Sequence, residues 1–146
     1  MGVRFMLLFF LFLSSCQNQD LDENFRKEII QYKKKVPLPS NEERYLYLVN
    51  FSQRGNDTLF TIIRSPGISK HDIVTGIYED KSLLPLAIID DAKLGINYYN
   101  TIKNENISDF VRTQVKEDFP PLFTYKVSNN KIKLVKIDTI SDRWTK

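Results

Sequence analysis

One cysteine, one histidine and five scattered glycines among 146 residues leave this chain short of the usual side chains of chemistry. A lone cysteine excludes an internal disulfide, so packing alone must hold the fold. A lone histidine excludes the paired-imidazole zinc motif, and no G-x-S-x-G elbow is present to seat a nucleophile. The glycines stand singly, without a G-x-G-x-x-G or Walker pattern, so no backbone cradle for nucleotide phosphates is expected. No apolar run approaches the roughly 20 residues of a membrane-spanning helix. No internal repeat and no low-complexity tract is present.

The chain does contain a short, unbroken apolar run at residues 5–13, preceded by Arg4 and followed by Ser14 and Ser15. As a helix it would rise about 14 Å, half of the roughly 30 Å hydrocarbon layer. That length, flanked by a positive charge and small residues, reads as a secretory signal. Leu13-Ser14-Ser15-Cys16 resembles the lipobox of bacterial lipoproteins. The resemblance implies cleavage by signal peptidase II between Ser15 and Cys16, diacylglycerol on the Cys16 sulfur, and a further chain such as palmitate on its new amino group. Two or three acyl chains make a stable anchor where one is marginal. Residues 1–15 are then a removed signal peptide, 16–20 a lipidated tether, and 21–146 a single domain.

The same resemblance implies localisation in the cell envelope, and Gln17 after the cysteine favours the outer membrane over the inner. Asp20, Asp22 and Glu23 resemble the acidic export signals of Bacteroidota lipoproteins. Asp57-Thr58-Leu59 and Asp138-Thr139-Ile140 resemble the D-[ST]-apolar O-glycosylation pattern of that group, with Thr58 and Thr139 as acceptors. Both threonines lie in segments that read as strands. Without Arg4 the remaining basic residues nearly balance the 18 acidic ones, which gives no case for a nucleic-acid partner.

In the mature chain, Leu21, Phe25, Ile29, Tyr32 and Val36 recur at helical spacing, with Asp20 or Asp22 placed to cap the start. Lys33-Lys34-Lys35 suits the helix C-terminus, and Pro37 and Pro39 end it. That lysine triplet is either a solvated helix end or a contact with anionic headgroups near the anchor. Residues 44–52 and 58–64 flank a turn at Arg54-Gly55-Asn56-Asp57 and read as a hairpin. Residues 73–79 and 83–90 read as a second hairpin, its last strand an edge or beginning after Pro85. In 104–115, Ile107, Phe110, Val111 and Val115 fall on one helical face and predict a second helix. Residues 122–128 and 131–140 form a last hairpin about Asn129-Asn130. The expected fold is α+β: an antiparallel sheet of about six strands built from hairpins, with an N-terminal helix and a second helix before the last hairpin.

No residues assemble into a catalytic set, a metal site or a cofactor site, and none is assigned. His71-Asp72 is the natural place for a base, but it lies in a polar loop. Asp90-Asp91 and Glu79-Asp80 lack the alternating spacing of a calcium loop. Tyr45, Tyr47, Tyr98, Tyr99 and Trp144 are either core aromatics or exposed platforms, and Tyr98, Tyr99 and Trp144 are the candidate partner-binding residues. The expected function is a lipid-anchored envelope protein with a small non-enzymatic domain that binds a protein or glycan. The alternatives are an envelope hydrolase using His71 with Asp72, Asp90 or Asp91, and a structural envelope spacer.

Overall fold

The computed structural model describes residues 21–40, 45–78, 85–99, 107–112, 119–129 and 131–139. Helix α1 (Glu23–Lys35) begins where the Asp22 carboxylate accepts the Asn24 and Phe25 amides at 3.0 and 3.1 Å. This satisfies two of the amides that have no partner within the helix. Phe25, Ile29 and Tyr32 are buried, as their spacing requires. At the other end, the Tyr32 hydroxyl donates to the Pro121 carbonyl at 2.7 Å and accepts the Arg64 amide at 2.9 Å. The Tyr47 hydroxyl donates to the Val36 carbonyl at 3.0 Å, binding the helix C-terminus to the sheet beneath.

Strands β1 (Leu46–Arg54) and β2 (Asp57–Ser65) form a hairpin whose two-residue turn has Gly55 at φ +60°. Glycine adopts that left-handed conformation without steric cost. Then follow β3 (Ile68–Ser69), β4 (Gly76–Tyr78), β5 (Leu86–Ile89), a single helical turn at Ile107–Phe110, β6 (Val111–Arg112), β7 (Leu122–Ser128) and β8 (Lys131–Asp138). The main sheet has six strands in the order β4-β5-β1-β2-β7-β8, and β3 and β6 form a separate pair. Helix α1 covers one sheet face. There Phe25, Ile29 and Tyr32 pack with Tyr47, Val49, Phe51, Phe60, Ile62, Phe123 and Tyr125. A smaller core of Leu46, Ile68, Ile77 and Ala87, with Leu48, Val74 and Phe110 packed against it, covers part of the opposite face.

Two expectations about the fold are overturned. The sheet is mixed, because β5 lies parallel to β1 with Tyr47 opposite Leu86 and Asn50 opposite Ile89. Leu86, Ala87 and Ile88 are all buried, the continuous apolar run of a strand covered on both faces; on its other side β5 pairs antiparallel with β4, as the second hairpin requires. Strand β5 is therefore interior, and it starts after Pro85, whose carbonyl accepts the Tyr47 amide at 2.9 Å. A proline in that place removes no donor from the ladder.

The second helix is not present as a helix. Within 104–115 the described residues make one turn and then strand β6, in which Val111 lies opposite Ile68 and Arg112 opposite Ser69. Gly67 permits the approach: a Cβ at its φ of +151° would lie 2.8 Å from the Phe110 carbonyl oxygen and 2.8 Å from the Arg112 side chain. Phe110 packs on the smaller core while Val111 faces solvent, so pairing with β3 overrides the helical period.

Candidate functional site

Asp90 organises the loop that follows β5. It is only 2% exposed, and its carboxylate accepts the Leu94 amide on one oxygen and the Gly95 amide on the other, each at 2.7 Å. The Tyr99 hydroxyl donates to that second oxygen. Around this carboxylate the backbone also closes: the Asp90 amide donates to the Thr75 hydroxyl at 2.9 Å, and its carbonyl accepts the Lys93 amide at 3.1 Å. Tyr99 is 2% exposed, with its ring 5.9 Å from Phe51, and so offers no platform to a partner. Its acidity falls because burial, and then the hydrogen bond and negative charge of Asp90, disfavour the phenolate. Tyr98 is half-buried with its ring 6.0 Å from Phe25, and its carbonyl accepts the Asp22 amide. Tyr98 thus ties the loop to the start of α1, and Tyr99 ties it to β1.

The remaining aromatic candidates follow the same pattern. Tyr45 and Tyr47 are buried, with the Arg64 guanidinium 5.7 Å from the Tyr45 ring and Tyr32 edge-on to Tyr47. Trp144, Ser15 and Cys16 lie outside the described residues. Thr58 is half-exposed within β2, opposite Val127, whereas Thr139 is exposed and sits just beyond β8 rather than within a strand.

His71 is exposed in the turn after β3. There the Asp72 carboxylate accepts the Ser69 amide at 3.0 Å, and the His71 amide donates to the Ser69 hydroxyl at 3.3 Å. The structure thus gives Asp72 a turn-closing role, which is the usual local use of such a side chain. Asp91 is exposed, while neighbouring Asp90 points into the loop. Among the described residues no three His, Cys, Asp or Glu side chains gather as a metal would need, and no helix is long and apolar enough to cross a membrane.

A surface that the alternation pattern did not single out lies along β8, the sheet edge beyond β7. Leu134, Val135 and Ile137 are 36%, 49% and 43% exposed. Between β7 and β8 the register shifts at Thr124/Tyr125, so that Lys136 lies opposite Thr124, Leu134 opposite Tyr125, and Val135 is the extra residue. Lys126, Lys131 and Lys133 line an open depression of about 560 Å³ together with Ser128, Asn129, Ile132 and Val135. Lys126 has Asp57 as counter-ion at 2.7 Å, and Lys136 pairs with Asp138. Edge lysines and a bulge both discourage another strand from adding to the ladder. What remains available to a partner is the side-chain surface: Leu134 and Ile137, opposite Tyr125 and Phe123, on the face toward α1, and Lys131, Lys133 and Lys136 on the other face.

The signal for this surface was present as an irregularity. Lysines at 131, 133 and 136 fail to hold period two because Leu134 and Val135 are adjacent, which is where the bulge forms. No protein-family model, curated protein or solved structure matches the chain.

Proposed function

We propose that this protein is a lipid-anchored component of a bacterial envelope whose domain holds a protein partner against the membrane through the exposed side chains of β8. The export segment and lipobox support the anchor, with Cys16 as the acylated residue. The observation that carries the binding role is the exposure of Leu134, Val135 and Ile137 in one strand. Apolar residues grouped on an otherwise polar surface mark interaction sites, and these select a partner with an apolar patch of its own. Anchoring confines both molecules near one surface, so modest contacts give high occupancy. Described aromatic rings lie mainly inside the core, which favours a protein over a glycan stacked on exposed rings.

The test is to purify the acylated protein from its envelope, identify what co-purifies, and measure direct binding of that partner to the wild-type chain and to Ile137→Asp. We expect Ile137→Asp to fold normally and to bind at least about tenfold more weakly, the effect of losing one central apolar contact. Equal binding by the variant would remove β8 from the interface. An unmodified Cys16, seen by mass spectrometry, would remove the anchor.

A further inference from the structure

The direction in which α1 crosses the sheet decides which end of the domain lies near the bilayer, if the anchor proposed above is accepted. The Phe25 ring is 5.7 Å from Phe51 and 5.2 Å from Phe60, while Tyr32 is 5.8 Å from Tyr47 and 5.0 Å from Phe123. Seven helical residues rise about 10 Å and four strand residues about 13 Å, so the helix axis runs along the strands, antiparallel to β1. The start of α1 therefore lies at the end of the sheet where β1 turns into β2. Tyr125 is opposite Phe60 and Val127 opposite Thr58, which puts the β7–β8 turn at that same end.

Four residues, 17–20, separate the anchored Cys16 from Leu21, and the five steps between them reach at most about 18 Å when fully extended. From the Phe51–Phe60 pair, the turn at Gly55 lies four residues on, about 13 Å, whereas α1 begins within about 3 Å of Phe25. The hairpin tips thus project beyond the point where the chain leaves for the membrane. Exposed Arg54 and Lys131 sit at these tips, with Lys133 two residues along β8 and Lys126 beside it in the register. At this end Asp57 sets one carboxylate against the three ammonium groups of the depression, exposed Glu23 adds a second in the first turn of α1, and the Asp22 side chain is engaged as the helix cap. The triplet Lys33-Lys34-Lys35 is at the other end of α1, about 18 Å away, where Lys35 lies 5.3 Å from the Phe123 ring centroid.

We infer that, in the anchored protein, the β1–β2 and β7–β8 tips face the bilayer and that Arg54, Lys126, Lys131 and Lys133 engage the phosphates of anionic lipid headgroups. This rests on the anchor of the proposed function and adds an orientation to it. Leu134 to Ile137 then stand further from the bilayer, facing outward for a partner. Polybasic clusters close to a membrane gain attraction with each charge, and the gain falls with salt.

The experiment uses the full acylated chain, its mass checked first, in phosphatidylcholine vesicles with and without phosphatidylglycerol. A fluorophore is placed on Asn56→Cys at the tip or on Ser40→Cys beyond the far end of α1, both exposed positions. The Cys16 sulfur, held in a thioether, takes no label. A headgroup-linked quencher should quench the tip label several-fold more than the distal one in anionic vesicles. Lys131→Gln and Lys133→Gln should each weaken the tip-down orientation about fivefold. Equal quenching at the two positions on an acylated chain, or a difference indifferent to phosphatidylglycerol, overturns the orientation and leaves the anchor standing. Abolition of the difference by millimolar inorganic phosphate at constant ionic strength would reassign the lysines to a free-phosphate site. A chain without acyl mass removes the anchor and the orientation together.

Discussion

Three donors converge on the Asp90 carboxylate from residues 94, 95 and 99, all close in sequence, the last two buried and the first partly so. A buried acceptor of this kind is worth more by its absence than by its presence, since each donor left behind keeps its full desolvation penalty. Asp90→Ala should therefore destabilise the domain by about 3 kcal/mol, and Tyr99→Phe, which removes one donor and leaves the acceptor otherwise engaged, by about 1 kcal/mol. Urea-denaturation midpoints at neutral pH would measure both. A loss for Asp90→Ala no larger than that of an exposed aspartate such as Asp91 would contradict this account. Gly95 belongs to the same unit, because a Cβ there would come within 2.3 Å of the Phe51 ring. Nothing in the spacing of Asp90-Asp91 distinguishes the buried carboxylate from the exposed one. The distinction arises when residues 94–99 fold back over β5.

At the scale of elements, α1 is legible because its requirement is local. One apolar residue every three or four positions, a carboxylate before the first turn and prolines after the last describe a helix that needs only some apolar surface to lie on. Its stability resides in that surface. Phe25→Ala removes a ring packed against Phe51, Phe60 and Tyr98 and should cost about 3–5 kcal/mol. Asp22→Ala, which removes only the cap, should cost about 1 kcal/mol. Comparable losses for the two variants in thermal or urea unfolding would show that the helix does not depend on its apolar face. The segment 104–115 had an equally regular period and yielded one turn and a strand. Periodicity reports which residues would share a face if the chain were helical; it does not report a competing strand such as β3, which pairs across more than forty residues of sequence.

The whole molecule is held by tyrosines that must stay protonated. Burial pushes the Tyr47 hydroxyl up to about 12, and burial also raises Tyr98, Tyr99 and Tyr125, with the charges of Asp22, Asp90 and Glu28 respectively adding to the effect. In the unfolded chain these groups ionise near 10. Their folded values lie above the unfolded one, so their contribution is fully present below about pH 10 and is lost as pH rises toward 12 and beyond, at up to about 1.4 kcal/mol per unit for each group. Through these residues, stability should be insensitive to pH near neutrality and fall steeply above pH 10. Phenolate absorbance should then appear together with loss of secondary structure in a single transition. Gradual ionisation of all seven tyrosines, well before unfolding, would show the buried hydroxyls to be accessible.

By itself the sequence determined what depends on neighbours along the chain: the capped amphipathic helix, and the hairpin turns at Gly55 and Asn129, where a left-handed residue is required. Only the tertiary structure decided that β5 runs parallel beside β1, that Tyr99 is enclosed, and that the apolar residues of β8 remain at an uncovered edge. The reason is geometric. An alternating strand specifies that one face is apolar, but whether that face is covered depends on what packs over it, and at β8 Ile132 joins the core beneath α1 while Leu134, Val135 and Ile137 stay exposed.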